Sequence, residues 1–478
     1  MSDLVNFVRS SVLKAKTLDE ALAFGILYGN LQWFNPSQIV SDEEFEKHIF
    51  DRFLSKDHKH ATDNKVLKND WLHVVSSTYP VGGHTRLIRF IMNAQTELGE
   101  SFSVIATRKF DPALRQNFMK KGISAQTLTG SLSKRLKDLV AAGDSAGCVV
   151  LHIHPDDLVA ALAARVLRAR GCSVLFVNHT DHVFSFGSGA ANCVLEVSGF
   201  GWNMTRARRN WQEQSFLGIP VETEVVENSG KITSLLSVGS ERKYKPSADF
   251  NFPQFLSRIL MQTNIKADLV GVDGTAEWWR DIRENFGERV KFHGLLPFED
   301  MRKLLRETSI YLDSFPMPGG SVFSEAFALG KPAFGPKNAV AGYGLVDGVR
   351  APDLRELEKE ILDFIKSGNI PAWRKNLADK VRKDFSSLSV ACRLRDAKSG
   401  NFHDLPEEMA MQHPNLDAFI KETGISLTLP EKRGVPFQSR FAIFTTLLTA
   451  RLSGAVQIKN ADLVKSLEWT RPVMKKVS

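Results

Sequence analysis

Apolar residues near the start of the chain recur every three or four positions, which is the spacing of one face of an α-helix. The first run includes Leu4 and Val8, and a second includes Leu18 and Leu22. The polar stretch at 55–70 has no such periodicity, and we interpret it as a linker or surface loop. The pattern therefore predicts helices that end before a new domain begins.

From Trp71 onward, short apolar runs of strand length alternate with helical patterns of roughly ten to fifteen residues. Strands that alternate with helices in this way form a parallel sheet with helices on both faces. The predicted strands are 71–77, 101–107, 122–128, 148–154 and 172–178, and the predicted helices are 86–98, 132–142 and 157–170.

A second series of the same kind begins near Lys231. We therefore expect an α/β fold of two Rossmann-like, doubly wound lobes, with the ligand site in the cleft between them. The predicted strands are 233–239, 266–272, 290–293 and 309–315, and the predicted helices are 251–262, 277–286 and 299–307.

These patterns divide the chain into four segments. We predict an N-terminal helical extension and linker (1–69), an N-terminal lobe (70–228), a C-terminal lobe (229–400) and a C-terminal helical segment (401–478). Within the last segment, the apolar run at 441–456 favours a helix that packs back across the lobes. Its attachment to a membrane surface stays open as an alternative.

Composition limits the kind of protein this can be. With 478 residues, 43% of them hydrophobic, the chain can form two or three domains with cores of their own. The four cysteines lack the spacing of a disulfide framework or a structural zinc site. No signal segment or membrane span is recognisable, so we expect a cytoplasmic protein. The formal charge of +8 suits a sugar nucleotide, an acidic glycan or an anionic membrane surface, while no nucleic-acid-binding motif is present.

The segment 309–332 carries the clearest chemistry, because an apolar strand enters a Pro/Gly loop that opens directly onto a helix. Gly319 and Gly320 allow the backbone to approach a ligand closely. Ser321 is predicted to cap the helix, whose free N–H groups and positive dipole end would face an anion. Gly330 then ends the helix. The pattern is typical of a phosphate-binding loop.

This segment resembles the donor-binding segment of the GT-B superfamily of sugar-nucleotide-dependent glycosyltransferases. The resemblance implies that Gly319, Gly320 and Ser321 hold the donor diphosphate and that Glu325 binds the ribose hydroxyls. Many retaining members have another glutamate where this chain has Met317. The sequence is closer to members with the Asp-x-Phe-Pro form, which include inverting enzymes, so the stereochemical outcome stays open.

The segment 76–86 resembles the glycine turn of the N-terminal lobe in the same superfamily. By that resemblance, Gly82 and Gly83 lie beside the donor diphosphate and the acceptor, and His84 is the general base. Imidazole titrates near neutrality, as a general base requires. Asp156 or Asp157, which follow a later strand, would orient His84. A substrate hydrogen bond or a structural role for His84 are the alternatives.

Two segments of the C-terminal lobe complete the resemblance. An Arg or Lys after the first strand of this lobe would neutralise the leaving diphosphate. Arg242, Lys243 and Lys245 are the candidates, and we favour Arg242 or Lys245. A solvated run of charges without a role in binding is the alternative. The loop at 292–297 resembles the one that meets the nucleobase, so His293 and Gly294 would flank the base.

Histidines cluster at 152–157 and 178–182, where two successive parallel strands end. Their spacing with aspartates is compatible with metal binding. Structural histidines are a further alternative. Such folds line their cleft with polar groups at this edge, so we favour a wall for a sugar and expect no metal.

We conclude from the sequence that the chain transfers a sugar from a nucleoside-diphosphate sugar, with UDP-sugar favoured, to a glycan, lipid-linked or protein acceptor. No cofactor is expected, because the helix N-terminus and basic side chains stabilise the leaving group. The alternatives are a sugar-nucleotide 2-epimerase of the same fold and a non-catalytic glycan-binding or assembly subunit. The sequence does not identify the donor sugar, the acceptor or the oligomeric state.

Overall fold

The computed structural model describes residues 2–34, 39–56, 69–79, 83–209, 213–226, 230–338 and 343–409, together with the pairs 444–445, 448–449 and 451–452. Within these residues, two parallel β-sheets are covered by helices, and each sheet is the centre of one lobe. The predicted α/β class with two doubly wound lobes is confirmed.

Three helices precede the first sheet: α1 (Ser2–Lys14), α2 (Leu18–Phe34) and α3 (Glu43–Phe53). Every residue of α2 from Ala21 to Gln32 is buried, because the helix lies among its two neighbours and two helices of the N-terminal lobe. A helix that is apolar on all sides needs such an enclosed position. The N-terminal helices therefore share one hydrophobic core with the first lobe.

The N-terminal lobe has, in its described residues, seven parallel strands in the order β3-β2-β1-β4-β5-β6-β7. The strand order reverses between β1 and β4, so the crevice beyond their carboxyl ends is where such a sheet binds ligands. The strands are β1 (Asn69–Ser77), β2 (Phe102–Lys109), β3 (Ser124–Thr127), β4 (Ala146–His152), β5 (Ser173–Asn178), β6 (Cys193–Glu196) and β7 (Gln214–Phe216). The helices are α4 (Gly83–Glu97), α5 (Pro112–Lys120), α6 (Leu132–Gly143), α7 (Leu158–Ala169) and α8 (Gly199–Met204).

The C-terminal lobe repeats this plan with five described parallel strands in the order β10-β9-β8-β11-β12. Its order reverses between β8 and β11, and the Pro/Gly loop follows β11. The strands are β8 (Ser234–Val238), β9 (Lys266–Val270), β10 (Val290–Phe292), β11 (Ile310–Leu312) and β12 (Ala333–Phe334). The helices are α9 (Phe252–Gln262), α10 (Arg280–Phe286), α11 (Phe298–Glu307), α12 (Ser321–Ala328) and α13 (Leu354–Ser367).

The chain returns to the first lobe through α14 (Ala372–Asp384) and α15 (Ser387–Lys398). Helix α15 packs on α4, and its Val390 and Leu394 belong to the core beneath β1. The return therefore takes place before the segment 401–478 begins. Most of the predicted helix 441–456 lies outside the described residues. Of the six residues in it that the structure describes, Phe444 and Leu448 contact the core of the first lobe.

The pattern analysis missed the helices α5, α8, α13, α14 and α15 and the strands β6, β7 and β12. Helix α5 begins at a recognisable signal, because Asp111 accepts a hydrogen bond from the Leu114 N–H at 2.9 Å and Pro112 follows it. Its periodicity is weak, since Phe118 is its one buried residue in the structure. The missed strands are too short to show an alternating pattern.

Candidate functional site

A cavity of about 390 Å³ lies between the lobes, at the carboxyl ends of β8 and β9. The N-terminal lobe contributes the start of α4, including Gly83, Arg86 and Arg89. The C-terminal lobe contributes Lys243, the end of the Pro/Gly loop and the first turn of α12. The cleft predicted from the sequence is therefore present where the carboxyl ends of the strands face the other lobe.

Asp313 fixes the loop between β11 and α12. Its Oδ1 accepts a hydrogen bond from the Gly319 N–H at 2.8 Å, and its Oδ2 accepts one from Arg350 at 2.7 Å. Both ionic side chains are fully buried, so the pair is held in a dry environment where such bonds are strong. A Cβ on Gly319 would lie 2.4 Å from Asp313 Oδ1. The loop can therefore close on Asp313 only because residue 319 has no side chain.

Helix α12 begins one position earlier than predicted. Gly320 is the N-cap residue with φ of +66°, and no side chain caps the helix. Ser321 is the first helical residue, so the predicted capping role of Ser321 is wrong. The left-handed backbone at Gly320 turns the chain into the helix directly, which leaves the first N–H groups of α12 without a side-chain partner. Gly319 and Ser321 both line the cavity.

Of the three basic candidates after β8, the structure places Lys243 in the cavity wall. Its Nζ donates to the backbone oxygen of Pro318 at 2.7 Å, and burial lowers the pKa of its ammonium group. Arg242 and Lys245 are exposed and do not line the cavity, contrary to our preference. The reason is a short 3₁₀ turn that buries Tyr244 in the core. Lys243 and Lys245, the residues on either side of Tyr244, therefore lie in different surroundings.

Glu325 lies on the inner face of α12 and forms a salt bridge with Arg86 of α4. The Glu325 and Arg86 side chains are 5% and 10% exposed, so the contact is nearly closed to solvent. The Arg86 guanidinium also lies 5.2 Å from the ring centroid of Phe298, which begins α11. Burial lowers the pKa of Arg86 to about 10. Glu325, the residue predicted to bind the ribose, is thus paired with a cation from the opposite lobe.

His293 is not part of the cavity wall, because its Nε2 lies 2.7 Å from Oδ1 of Asp268 on β9. Gly294 follows with φ of +61°, and the chain turns there. The turn brings Leu295 and Leu296 to the cavity. The predicted contact of His293 and Gly294 with the nucleobase stays a prediction, and Leu295 and Leu296 are the residues of this loop that line the cavity.

His84 lies at the start of α4, between Gly83 and Thr85, which line the cavity, but His84 itself is not part of the lining. Its Nε2 is 3.0 Å from the backbone oxygen of His152, and its ring stacks on that of His179 with centroids 4.1 Å apart. Because a carbonyl oxygen only accepts, the hydrogen is assigned to Nε2, and Nδ1 is left as the acceptor. Nδ1 has no hydrogen-bond partner among the described residues. Burial lowers the pKa of His84 to about 4, so its ring is neutral at neutral pH.

Among the described residues, no carboxylate forms a hydrogen bond with His84, which corrects the prediction made for Asp156 or Asp157. Asp156 forms a salt bridge of 2.9 Å with Arg108 and accepts a hydrogen bond of 2.8 Å from Asn30. Asp157 caps the first turn of α7. Both carboxylates are buried with these partners, so they hold together β2, α2 and α7 instead of the histidine.

The histidines at the strand ends contact one another. His73 Nδ1 lies 3.0 Å from His152 Nε2, and the rings of His84 and His154 lie 5.6 Å apart. In the part of the chain that the structure describes, no group of three or more His, Cys, Asp or Glu residues is arranged to hold a metal ion. The sugar wall that we favoured for these residues stays a prediction.

Several site residues were not identified from the sequence. Arg86 and Arg89 lie on the first helix after the glycine turn, where basic residues oppose the helix dipole. The unfavourable placement of Arg86 in the first turn of α4 was the one sign in the sequence that this residue has a functional role. Arg350 had none, because its partner Asp313 is 37 positions away in the sequence. Gly82 lies outside the described residues. Among the helices that the structure describes, none has the length and apolar character that a bilayer span requires.

Comparison with known proteins gives similarity at the level of structure. No family model matches the chain, and no curated protein matches it. The structure is similar to HepE from Anabaena in complex with UDP and glucose, at 16% identity over 69% of this chain and 99% of that chain, with a TM-score of 0.51. It is also similar to a glycosyltransferase from Rickettsia africae, at 12% identity over 70% and 99% of the two chains, with a TM-score of 0.52.

A mutant O-GlcNAc transferase from Thermobaculum terrenum is similar at 11% identity over 79% of this chain and 72% of that chain, with a TM-score of 0.50. At identities this low, the structural similarity supports a common fold and nothing finer. Together with the two sheets and the interlobe cavity, it shows that the chain has the GT-B fold, as the sequence predicted.

Proposed function

We propose that this chain is a glycosyltransferase that moves a sugar from a nucleoside-diphosphate sugar to a glycan or protein acceptor. One observation carries the proposal: the interlobe cavity is lined by Arg86, Arg89 and Lys243 and by the uncapped start of α12. Among the described residues, its lining includes no carboxylate. Concentrated positive charge at a helix N-terminus favours a phosphate-bearing ligand.

The donor in this proposal is a UDP-sugar, because HepE of the same fold was crystallised with UDP and with UDP-glucose. The backbone at Gly319, Gly320 and Ser321 binds the diphosphate together with Lys243. Glu325 accepts hydrogen bonds from the ribose hydroxyls, and the turn at Gly294 contacts the nucleobase. The leaving diphosphate is stabilised by fixed positive charge, so the scheme uses no cofactor.

In the same scheme, His84 removes the proton from the acceptor hydroxyl through Nδ1, the nitrogen that lacks a hydrogen on the assigned tautomer. Nδ1 is closed to solvent in this structure, so the scheme requires that acceptor binding opens the surface beside it. The hydrogen bond from Nε2–H to the His152 oxygen fixes the ring orientation that a carboxylate provides in other histidine bases. A glycan or protein hydroxyl suits this chemistry, because each needs only deprotonation to attack the anomeric carbon.

The first test is calorimetric titration of the wild-type protein with UDP, GDP, CDP and dTDP. We expect UDP to bind and the Lys243→Met variant to weaken it by about ten-fold or more, since a charge-assisted hydrogen bond is lost. Lys245→Met is the matched control, because it removes the same charge from an exposed position two residues away. Absence of binding by all four nucleotides would contradict the proposal.

The second test follows the sugar. UDP-glucose, UDP-galactose and UDP-N-acetylglucosamine are incubated with acceptor oligosaccharides or peptides, and products are read by mass spectrometry. Transfer produces UDP together with an extended acceptor. A new sugar nucleotide formed without acceptor would identify an epimerase, and nucleotide binding without any turnover would identify a non-catalytic subunit.

A further inference from the structure

The ion pair between Arg86 and Glu325 joins the two lobes at the edge of the interlobe cavity. Arg86 belongs to α4 of the N-terminal lobe and Glu325 to α12 of the C-terminal lobe. The Arg86 guanidinium lies over the rings of Phe90 and Phe298, at 5.5 Å and 5.2 Å from their centroids. The pair therefore occupies an apolar, nearly dry part of the interface between the lobes.

Each member of the pair depends on the other. Among the described residues, the Arg86 side chain forms its one hydrogen bond with Glu325, although a guanidinium has five N–H groups. Within the same residues, the Glu325 carboxylate likewise accepts a hydrogen bond from Arg86 alone. Burial already disfavours the charged form of Arg86, as its lowered pKa of about 10 shows. An opened pair would leave the Glu325 carboxylate without its hydrogen-bonded partner and would leave Arg86 with only the longer-range attraction of Glu222, which is unfavourable unless a ligand replaces both contacts.

A nucleoside diphosphate has the groups for that replacement. Its ribose hydroxyls can donate to a carboxylate, and its diphosphate oxygens can accept from a guanidinium in the bidentate geometry that arginine favours. Arg86 lines the same cavity as Lys243 and Ser321. The guanidinium therefore already lies beside the proposed diphosphate site.

We propose that a nucleoside diphosphate opens the interlobe pair by exchanging both partners, so that Glu325 accepts the ribose hydroxyls while Arg86 donates to the diphosphate. This inference rests on the proposed function and adds a specificity-determining residue from the N-terminal lobe. A nucleoside without phosphates would break the pair and replace only one side of it. The exchange thus makes the site selective for diphosphates.

The test compares UDP with uridine by calorimetry or by competition, on the wild type and on Arg86→Met. The variant frees Glu325 from its competitor, so uridine should bind more tightly. It also removes a phosphate contact, so UDP should bind about ten-fold more weakly or worse. Arg280→Met is the control, since it removes an exposed arginine that pairs with Glu277 outside the cavity; we expect it to change neither affinity.

The other half of the exchange is tested with Glu325→Gln and inorganic pyrophosphate, which has no ribose. This variant frees Arg86, so pyrophosphate should bind more tightly than it does to the wild type. The measurement also serves if Arg86→Met does not fold.

Opposite changes for UDP and uridine support the exchange. Equal changes for UDP and uridine, an unchanged uridine affinity, or an unchanged pyrophosphate affinity in Glu325→Gln would overturn it while the proposed function stands. A wild-type protein that binds no nucleoside diphosphate would overturn the proposed function and the exchange with it.

Discussion

The packing around His84 determines both which nitrogen can take a proton and at what pH it does so. Burial lowers the pKa of His84 to about 4, so the ring is already neutral at every pH above about 5. A base in this state is available without titration in the physiological range, although its low basicity reduces the driving force for proton removal.

We therefore predict that kcat/KM of the wild type shows no decline attributable to His84 between pH 8 and pH 5. His84→Ala should lower kcat/KM by about 100-fold or more, the usual contribution of a general base, and should leave UDP affinity unchanged. His403→Ala is the control, because His403 pairs with Asp396 and does not line the cavity. A decline in rate with an apparent pKa near 6.5 in the wild type and its loss in His84→Ala would contradict the assigned state of the ring.

The residue types of the candidate site could be anticipated from the sequence more easily than their partners. His84 was identified from its place after the glycine turn, but its assigned partner Asp156 binds Arg108 instead. Lys243 was recognised among three candidates and then not preferred. In each case the deciding contact comes from an element distant in the sequence or from a local turn whose direction the residue types do not specify.

At the scale of elements, the loop between β11 and α12 depends on the buried pair of Asp313 and Arg350. We predict that Asp313→Ala lowers the free energy of unfolding of the C-terminal lobe by about 3–5 kcal/mol, because it leaves the Arg350 charge buried with one partner fewer. Urea denaturation followed by tryptophan fluorescence measures this, since Trp279 lies in the core of this lobe. Asp353→Ala, which removes the cap of α13, should cost only about 1 kcal/mol. Equal losses in the two variants would contradict the role given to the Asp313 pair.

Most helices that the sequence predicted are long enough to show a period and have a buried face. Helix α7 is an example, because nine of its residues are buried between the sheet and the N-terminal helices. Helix α5 lacks such a face and was missed, although Asp111 and Pro112 mark its start. Strand β12 is held mainly by its pairing with β11, which no local pattern reveals.

At the scale of the whole molecule, the sequence predicts two lobes but not how they face one another. The contact between Arg86 and Glu325 joins positions 239 residues apart. Helix α15 supports the same arrangement by returning from the second lobe to pack on α4. Such contacts depend on the tertiary packing of complete lobes, so local periodicity cannot predict them.

The attachment of the N-terminal helices to the first lobe includes a buried acid, Glu46 of α3. Its side chain is fully buried, accepts a hydrogen bond of 3.1 Å from the Gly187 N–H and lies 3.8 Å from Arg165 of α7. Burial raises the pKa of Glu46 to about 8, with the Glu43 carboxylate adding to the effect. The folded state therefore prefers the protonated acid.

We predict that this preference makes stability depend on pH. Because the pKa of Glu46 in the folded protein lies above its unfolded value of about 4.3, its contribution is complete below that value and is lost as pH rises through about 8. Glu46→Gln imitates the protonated acid, so wild type and variant should have similar Tm values at pH 5. At pH 9 the variant should be more stable by about 5 °C or more. Glu44→Gln removes the same charge from an exposed position of α3 and should not change the pH dependence. A difference between wild type and Glu46→Gln that is the same at pH 5 and pH 9 would show that Glu46 stays charged in the folded protein, with Arg165 rather than a proton as its partner.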